Sequence, residues 1–161
     1  NSAFFYLLQK VDSIRRAIIY LGEKEIHRFV TLVIVSNLAA DKPQELLRLS
    51  LVRGRFCELL AKNGIHADLS SELFLLGLFS MLDAILDAPL QVMINTIPLA
   101  DEVKEAIIHQ RGPFAPLLQA VIAYEQGQAE ECLHSWQQLG VDGEKVYELY
   151  LAAIQFAAII D

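Results

Sequence analysis

The residues best spaced for chemistry in this sequence are pairs of an acid and a histidine, and none completes a site. Glu131 and His134 lie three residues apart on one predicted helix face, a spacing that di-iron helical bundles use. Such bundles need a second pair and two further glutamates, which the sequence does not supply. His66 and Asp68 lie in a predicted loop, where they could bind a metal only with ligands from elsewhere. No metal centre is predicted from these pairs.

The other acidic combinations predict no catalysis either. Asp83 and Asp87 lie one helical turn apart and could act as an acid and a base, but no neighbouring group can be identified that would give them different roles. The remaining acid–histidine pairs have i, i+4 spacing and are interpreted as surface pairs: Glu105 with His109, and Glu23 with His27.

Motifs for cofactors and nucleophiles are also absent from the sequence. There is no phosphate-binding glycine loop, no Cys-x-x-Cys and no nucleophile elbow, so we predict no cofactor. Cys57 and Cys132 stand alone and are interpreted as reduced, packed thiols of a cytosolic protein.

The composition favours a single domain with an apolar surface. The chain has 161 residues, of which 54% are hydrophobic and 20% charged, and its mean hydropathy is +0.37. This apolar content indicates a surface that meets a partner or further chain. The longest apolar runs, residues 29–40 and 149–160, are shorter than the roughly 20 residues that span a bilayer. With no secretion signal, the sequence predicts a cytoplasmic protein without a membrane segment.

Charge is divided unevenly between the two parts of the chain. The net charge is −7, with +4 in residues 1–65 and −11 in residues 66–161. An acidic second part argues against nucleic-acid binding, which needs a basic surface. The basic N-terminal part either is merely solvated or docks an acidic partner or the acidic part of the chain itself.

The element that must organise the domain is a central helix predicted over residues 71–87, SELFLLGLFSMLDAILD. It is apolar on nearly every face between Leu73 and Leu82, which is typical of a helix buried on all sides. Leu76 and Phe79 should be fully buried. Gly77 costs helix stability, so we expect it to allow a neighbouring backbone to approach closely.

The rest of the pattern predicts an all-α fold of about ten helices, compact around the central helix. A long amphipathic helix precedes it at residues 43–63, with Leu49, Val52, Phe56, Leu59 and Leu60 facing inward. The other predicted helices cover residues 14–21, 23–40, 90–96, 101–110, 114–126, 129–139 and 144–160.

Three stretches carry a resemblance to a known family. The first is NSAFF at residues 1–5 with SIRRAIIYLG at residues 13–22, which is similar to the pattern N-S-A…S-I-R-x-A-I-x-x-L-G. The second is RLSLVRGRFCELLA at residues 48–61. The third is residues 73–87 with Pro89 and residues 100–107. Together they resemble the HDOD family, the HD-related output domains of bacterial signalling proteins. The resemblance covers residues 1–126 and leaves the helices of residues 127–161 outside it.

The resemblance implies that a metal site has been lost. In metal-dependent HD phosphohydrolases the central helix reads G-L-L-H-D-I-G and its His-Asp pair ligates the metal; here that frame reads GLFSMLD at residues 77–83. The first histidine falls on Leu49, the His-Asp pair on Ser80 and Met81, and the distal aspartate on or near Tyr124, with Glu125 beside it. These residues do not form a set of divalent-cation ligands. No metal and no catalytic residue are therefore expected, and the former site should have become core.

Within the family, the sequence looks most like the HDOD half of proteins with an N-terminal EAL domain, the fold of cyclic di-GMP phosphodiesterases. The abrupt start at Asn1 fits a chain truncated at its N-terminus, with the EAL domain and the first HDOD helices upstream. We expect a non-catalytic regulatory or interaction module. The alternatives are a residual or repurposed HD phosphohydrolase and a DNA-binding regulator that reads DNA with residues 48–55.

A module without chemistry must act through contact, and the basic N-terminal helices are the predicted surface. The partner is an upstream EAL domain, another protein or a second copy of this domain. The predicted partner-binding residues are of the types enriched in binding hot spots: Phe4, Phe5, Tyr6, Arg15, Arg16 and Arg28. The alternative is that these aromatics pack inside the domain and the arginines are only solvated.

Overall fold

A computed structural model describes residues 44–86, 89–95 and 99–158, and all regular structure within these ranges is helical. This confirms the all-α prediction; the predicted helices at residues 14–21 and 23–40 lie outside the described residues. Eight α-helices lie within the described ranges: α1 Gln44–Lys62, α2 Ser70–Phe79, α3 Leu82–Leu86, α4 Leu90–Ile94, α5 Asp101–His109, α6 Ala115–Glu125, α7 Leu133–Gln138 and α8 Val146–Ala157. Short 3-10 turns precede α2 and α8, at Ala67–Leu69 and Gly143–Lys145. None of the helices described is long and apolar enough to cross a membrane.

The long helix α1 lies at the centre of the packing. It packs mainly against α2 and α8, and it also contacts α6. Phe56 is completely buried, and its ring lies 5.1 Å from Tyr150 of α8, 5.4 Å from Tyr124 of α6 and 6.4 Å from Trp136 of α7, measured between centroids. Tilted aromatic contacts at these distances are favourable. They hold the C-terminal helices against α1.

The helix α2 is buried, as its sequence predicts. Leu76 is 0% exposed and Phe79 is 2% exposed, which confirms the expectation for both residues. Burial of apolar surface stabilises the fold by roughly 25 cal/mol per Å². The helix therefore contributes to the core on nearly all of its faces.

Two glycines allow α1 and α2 to cross at backbone contact. A Cβ placed on Gly77 would lie 2.5 Å from the carbonyl oxygen of Arg53, and one placed on Gly54 would lie 2.9 Å from the carbonyl oxygen of Phe74. Real Cβ atoms essentially never approach that closely. The close approach expected at Gly77 is therefore confirmed, and its partner is Gly54 of α1.

A buried carboxylate on α1, Glu58, is bound by two cations of the same helix. Glu58 is 0% exposed and accepts hydrogen bonds from Arg55 at 2.8 Å, while the Lys62 ammonium lies 3.0 Å from the same carboxylate oxygen. The Arg55 guanidinium also lies 5.1 Å from the ring centroid of Phe156 in α8. A cation over an aromatic face is attracted to it, so Arg55 links the two helices.

The central helix is shorter than predicted. The sequence favours one helix over residues 71–87, but α2 ends at Phe79 and α3 begins at Leu82. The hydroxyl of Ser80 donates a hydrogen bond to the carbonyl of Gly77 at 2.7 Å. Serine side chains that bond to nearby backbone groups in this way compete with helix propagation. The prediction of one continuous helix is wrong for this reason.

The predicted inward position of Leu49 is also wrong, because its side chain is 43% exposed. Helix α6 ends at Glu125, and the side chain of Glu125 contacts Arg53. Arg53 lies one turn after Leu49 on the same face of α1. Since α6 does not extend further along α1, Leu49 lies beyond its cover. Several later helices are shorter than predicted; residues 129–139 contain only α7, Leu133–Gln138.

Replacing Gly77 with alanine tests the crossing. The added methyl improves helix propensity by about 1 kcal/mol, but it must displace the backbone of α1, and overpacking of this kind costs about 1–3 kcal/mol or more. We expect a net loss of about 1–2 kcal/mol in the free energy of unfolding, measured by urea titration. Gly143→Ala is the matched control, because a Cβ there meets its nearest atoms at 3.9 Å. A Gly77→Ala variant as stable as the original chain would contradict the close crossing.

Candidate functional site

The side chain of Arg53 extends from the crossing of α1 and α2 and joins three helices. Its Nε donates to both carboxylate oxygens of Glu125 in α6 at 3.1 Å, and its Nη2 donates to Oε2 of the same carboxylate at 2.7 Å. Its Nη1 donates to the hydroxyl of Ser80 at 3.1 Å. Arg53 is adjacent to Gly54, so the close helix crossing fixes the point from which this side chain starts. The three residues are called the Arg53 cluster below.

Ser80 connects the Arg53 cluster to the end of α2. Its hydroxyl accepts from Arg53 and donates to the carbonyl of Gly77, which satisfies both sides of the hydroxyl. The hydrogen bond that ends α2 therefore also orients Ser80 toward the guanidinium.

The Arg53–Glu125 pair is mostly shielded from solvent. Its side chains are 14% and 20% exposed, respectively. A two-pronged contact between a guanidinium and a carboxylate fixes geometry as well as charge, and hydrogen bonds to charged groups contribute about 1.5–3 kcal/mol. Since Glu125 is the last residue of α6, the pair fixes the end of α6 against the middle of α1.

The positions implied for metal ligands are brought only partly together. Ser80 and Glu125 both contact Arg53. Tyr124 is half-buried, with its ring 5.3 Å from Tyr150 and 5.4 Å from Phe56. Met81 is half-buried against the core, and Leu49 is exposed. The expectation that these positions have become core is wrong for Leu49, which is exposed. Met81 and Tyr124 pack partly buried against the core, and Ser80 belongs to the Arg53 cluster.

The residues present do not fit a divalent cation. A metal site of this kind needs several oxygen or nitrogen ligands, and Leu49 and Met81 offer none of that type. Glu125 is bound to the Arg53 guanidinium, whose positive charge would repel a metal ion beside it. Within residues 44–86, 89–95 and 99–158, no group of three His, Cys, Asp or Glu side chains is placed to hold a metal.

The two cysteines are poorly suited to nucleophilic chemistry. Burial raises the pKa of the Cys57 thiol well above its usual range; the Glu125 carboxylate raises it further, and the Arg53 guanidinium opposes the shift. Burial likewise raises the pKa of Cys132, whose thiol contacts the carbonyl oxygen of Ala120 at 3.5 Å. A thiol must ionise to act as a nucleophile, so both cysteines serve packing.

An open groove of about 440 Å³ lies beside Ser80, between α5 and α6. Its floor is apolar, and its polar lining consists of side chains without charge: Ser80, Gln110, Gln119, Gln126 and Gln128. Gln110 has φ 55°, a left-handed conformation that is uncommon outside glycine. The lining contains no acid, histidine or cysteine, so it offers neither a general base nor a metal ligand.

The other acid and histidine candidates are not assembled into a site. Glu131 and His134 are exposed. The His66 ring packs edge-on against Phe114 at 5.3 Å, and the Asp83 carboxylate accepts from the backbone of Ala84 at its own helix start. Asp87, Glu23 and His27 lie outside the described residues, as do the predicted partner-binding residues Phe4, Phe5, Tyr6, Arg15, Arg16 and Arg28.

The arginines of α1 are engaged with carboxylates. Arg53 is bound by Glu125, Arg55 by Glu58, and Arg48 lies 3.5 Å from Glu45. These contacts offset the positive charge along residues 48–55. A helix that reads DNA needs that charge for phosphate contacts.

Sequence reasoning missed the role of Arg53. The sequence places Glu125 beside the distal metal position, but nothing in it pairs Glu125 with a residue 72 positions away. Gly54 was the one sequence signal that could have pointed to Arg53. A glycine in the middle of an amphipathic helix indicates a close helix crossing, and the residues next to that glycine lie at the crossing.

The model of the HDOD domain family matches residues 1–97 of this chain. This chain belongs to the HDOD family. The match ends before α5.

Curated relatives cover nearly the whole chain. It is 36% identical over 155 residues to "Cyclic di-GMP phosphodiesterase CdgJ" of Vibrio cholerae, a match that covers 94% of this chain and 35% of that protein. It is 31% identical over 159 residues to "Uncharacterized protein YuxH" of Bacillus subtilis, covering 97% of this chain and 38% of that protein. The chain thus spans little more than a third of the length of these relatives. No solved structure matches significantly.

A double-mutant cycle measures the Arg53 cluster. We expect Arg53→Met and Glu125→Gln each to lower the free energy of unfolding by about 1.5–3 kcal/mol, because each leaves a mostly buried charged or polar partner unmatched. The double variant should lose less than the sum, with a coupling energy of about 0.5–3 kcal/mol. Arg111→Met, at an exposed arginine, is the control and should stay within about 0.5 kcal/mol. Strictly additive losses would mean that the two side chains do not interact.

Proposed function

We propose that this chain is a non-catalytic regulatory and protein-interaction module of a cytoplasmic bacterial signalling protein. In this role it acts together with an upstream EAL domain of the cyclic di-GMP phosphodiesterase type. The chain itself takes no cofactor and binds neither nucleic acid nor membrane. Any hydrolysis by the parent protein belongs to the EAL domain.

The observation that carries the proposal is the Arg53 cluster. The resemblance to HD phosphohydrolases places metal ligands at Ser80 and on or near Tyr124, beside Glu125. In this chain the side chains of Ser80 and Glu125 are bound to the guanidinium of Arg53. A guanidinium offers charge and hydrogen bonds, but it has no bound water to activate as a nucleophile. The arrangement favours a structural use of the old site over hydrolysis.

The relatives support the signalling part of the proposal. One is named a cyclic di-GMP phosphodiesterase, and the aligned part is only 35% of its length, which leaves ample chain for a separate catalytic domain. The alignment with the second relative, YuxH, likewise covers only 38% of that protein. We infer that the HDOD part is the regulatory portion of such a protein.

The second candidate is a residual or repurposed HD phosphohydrolase, and the groove beside Ser80 is what favours it. Its volume of about 440 Å³ lies within the range of small-molecule pockets. Its uncharged glutamine lining offers hydrogen bonds but no acid–base pair. Binding without turnover suits this groove better than hydrolysis.

Metal content and turnover test the non-catalytic assignment. We expect elemental analysis of the purified 161-residue chain to find zinc, iron and manganese far below one equivalent, because the implied ligand positions do not fit a cation. Hydrolysis of bis(p-nitrophenyl) phosphate and of cyclic di-GMP, with manganese added, should equal the protein-free control. About one equivalent of metal, or turnover above that control, would favour the hydrolase instead.

The proposed contact with the EAL domain is tested at the N-terminal arginines. In a protein that carries this chain with an EAL domain, Arg15→Glu and Arg16→Glu should weaken domain association or alter signalling output by about tenfold, as charge reversal at an interface does. Arg111→Glu is the control, since Arg111 is an exposed arginine of the acidic C-terminal part. If these variants keep their helical circular dichroism and their signalling output is unchanged, the contact with the EAL domain does not involve Arg15 and Arg16.

A further inference from the structure

The break between α2 and α3 interrupts a backbone that is helical on both sides of it. Before the break, the Ser80 N–H donates to the carbonyl of Leu76 at 3.1 Å. After it, the Ile85 N–H donates to the carbonyl of Met81 at 3.1 Å. Both bonds have the spacing of an α-helix. Ser80 also keeps helical backbone angles, with φ −62° and ψ −18°, so its backbone is close to that of a continuous helix.

The carbonyl of Gly77 is the acceptor for which the broken and the continuous helix compete. In a continuous helix it would accept from the N–H of Met81, four residues later. Here it accepts from the Ser80 hydroxyl at 2.7 Å, and among the described residues no hydrogen bond joins it to Met81. Serine hydroxyls compete with the helix in this way. The direction of the hydroxyl proton of Ser80 therefore bears directly on whether the helix continues.

Arg53 sets the direction of that proton. A guanidinium has hydrogen-bond donors only, and Nη1 of Arg53 donates to the hydroxyl oxygen of Ser80 at 3.1 Å. The single proton of the hydroxyl must therefore point away from Arg53, and the Gly77 carbonyl receives it. Without the guanidinium, the hydroxyl can turn toward the open groove that Ser80 lines, and the Gly77 carbonyl becomes available to the backbone.

Glu125 in turn fixes the position of Arg53. Its carboxylate accepts from Nε and Nη2 of the guanidinium, and Glu125 is the last residue of α6. A continuous line of hydrogen bonds thus runs from the end of α6 through Arg53 and Ser80 to the Gly77 carbonyl. Helices α2 and α3 lie within residues 1–97, which the HDOD family matches, whereas α6 lies outside them. The Arg53 cluster therefore connects the C-terminal helices with the HDOD part of the chain.

We propose that the Arg53 cluster is a conformational switch, which holds residues 70–86 as a broken helix while the end of α6 is bound. When Glu125 leaves Arg53, the Ser80 hydroxyl releases the Gly77 carbonyl, the Met81 N–H bonds to it, and α2 and α3 become one helix. The sequence supports this second form, because residues 80–86 contain neither glycine nor proline. Two discrete arrangements of one element are what coupling between sites requires. The inference does not rest on the proposed function, since it concerns only groups within the described helices.

Removal of the hydroxyl tests the local part of the switch. By NMR of the whole chain, Ser80→Ala should shift the Cα resonances of residues 80–82 toward helical values. Amide hydrogen exchange at Met81 should slow about tenfold relative to exchange at position 80, whose N–H is bonded in both forms. Ser135→Ala is the matched control, at a half-buried serine within α7. If both variants leave these resonances and this exchange ratio unchanged, the hydroxyl does not hold the break and the proposal is overturned.

Removal of the distant carboxylate tests the coupling. Glu125→Ala should move the Cα resonances of residues 80–82 in the same direction as Ser80→Ala, because Arg53 loses the partner that fixes it. A purely local role of Ser80 predicts no such change. Glu130→Ala, at an exposed glutamate, is the control and should leave these resonances in place. If Glu125→Ala loses its helical circular dichroism, the milder Glu125→Gln is measured with the same expected direction. Unchanged resonances in the folded variant overturn the proposal.

Discussion

The backbone contact between Gly54 and Gly77 is the constraint on which the described structure depends. It brings α1 and α2 closer than any side chain would allow, so both helices bury their apolar faces without a gap. Because Arg53 is next to Gly54, the crossing also determines where the guanidinium reaches. The bond between Arg53 and Glu125 then fixes the end of α6, whose residues line the groove beside Ser80.

The Arg53 cluster joins three helices through a charge that belongs to the chain itself. In the HD arrangement implied by the resemblance, a metal would draw helices together by ligation. In this chain a positive charge supplied by α1 connects Glu125 and Ser80. Hydrogen bonds to a charged group are strong and directional, so the helices remain in register without coordination chemistry.

Sequence patterns located the buried elements better than the polar ones. The apolar run around Leu76 and Phe79 predicts burial because hydrophobic periodicity is read locally, and Gly77 predicts a close approach because glycine is unfavourable in a helix without such a reason. The break at Ser80 was missed, since serine can continue a helix or end it depending on where its hydroxyl bonds. The pairing of Arg53 with Glu125 depends on the meeting of distant helices, which no local pattern records.

A junction held by an arginine depends on different conditions from a junction held by a metal ion. A coordinated ion can dissociate or be taken up by a chelator, so a domain assembled around it responds to metal supply. The guanidinium of Arg53 is covalently part of the chain and is present as soon as the polypeptide is synthesised. Scarcity of zinc, iron or manganese would therefore leave this junction of three helices intact.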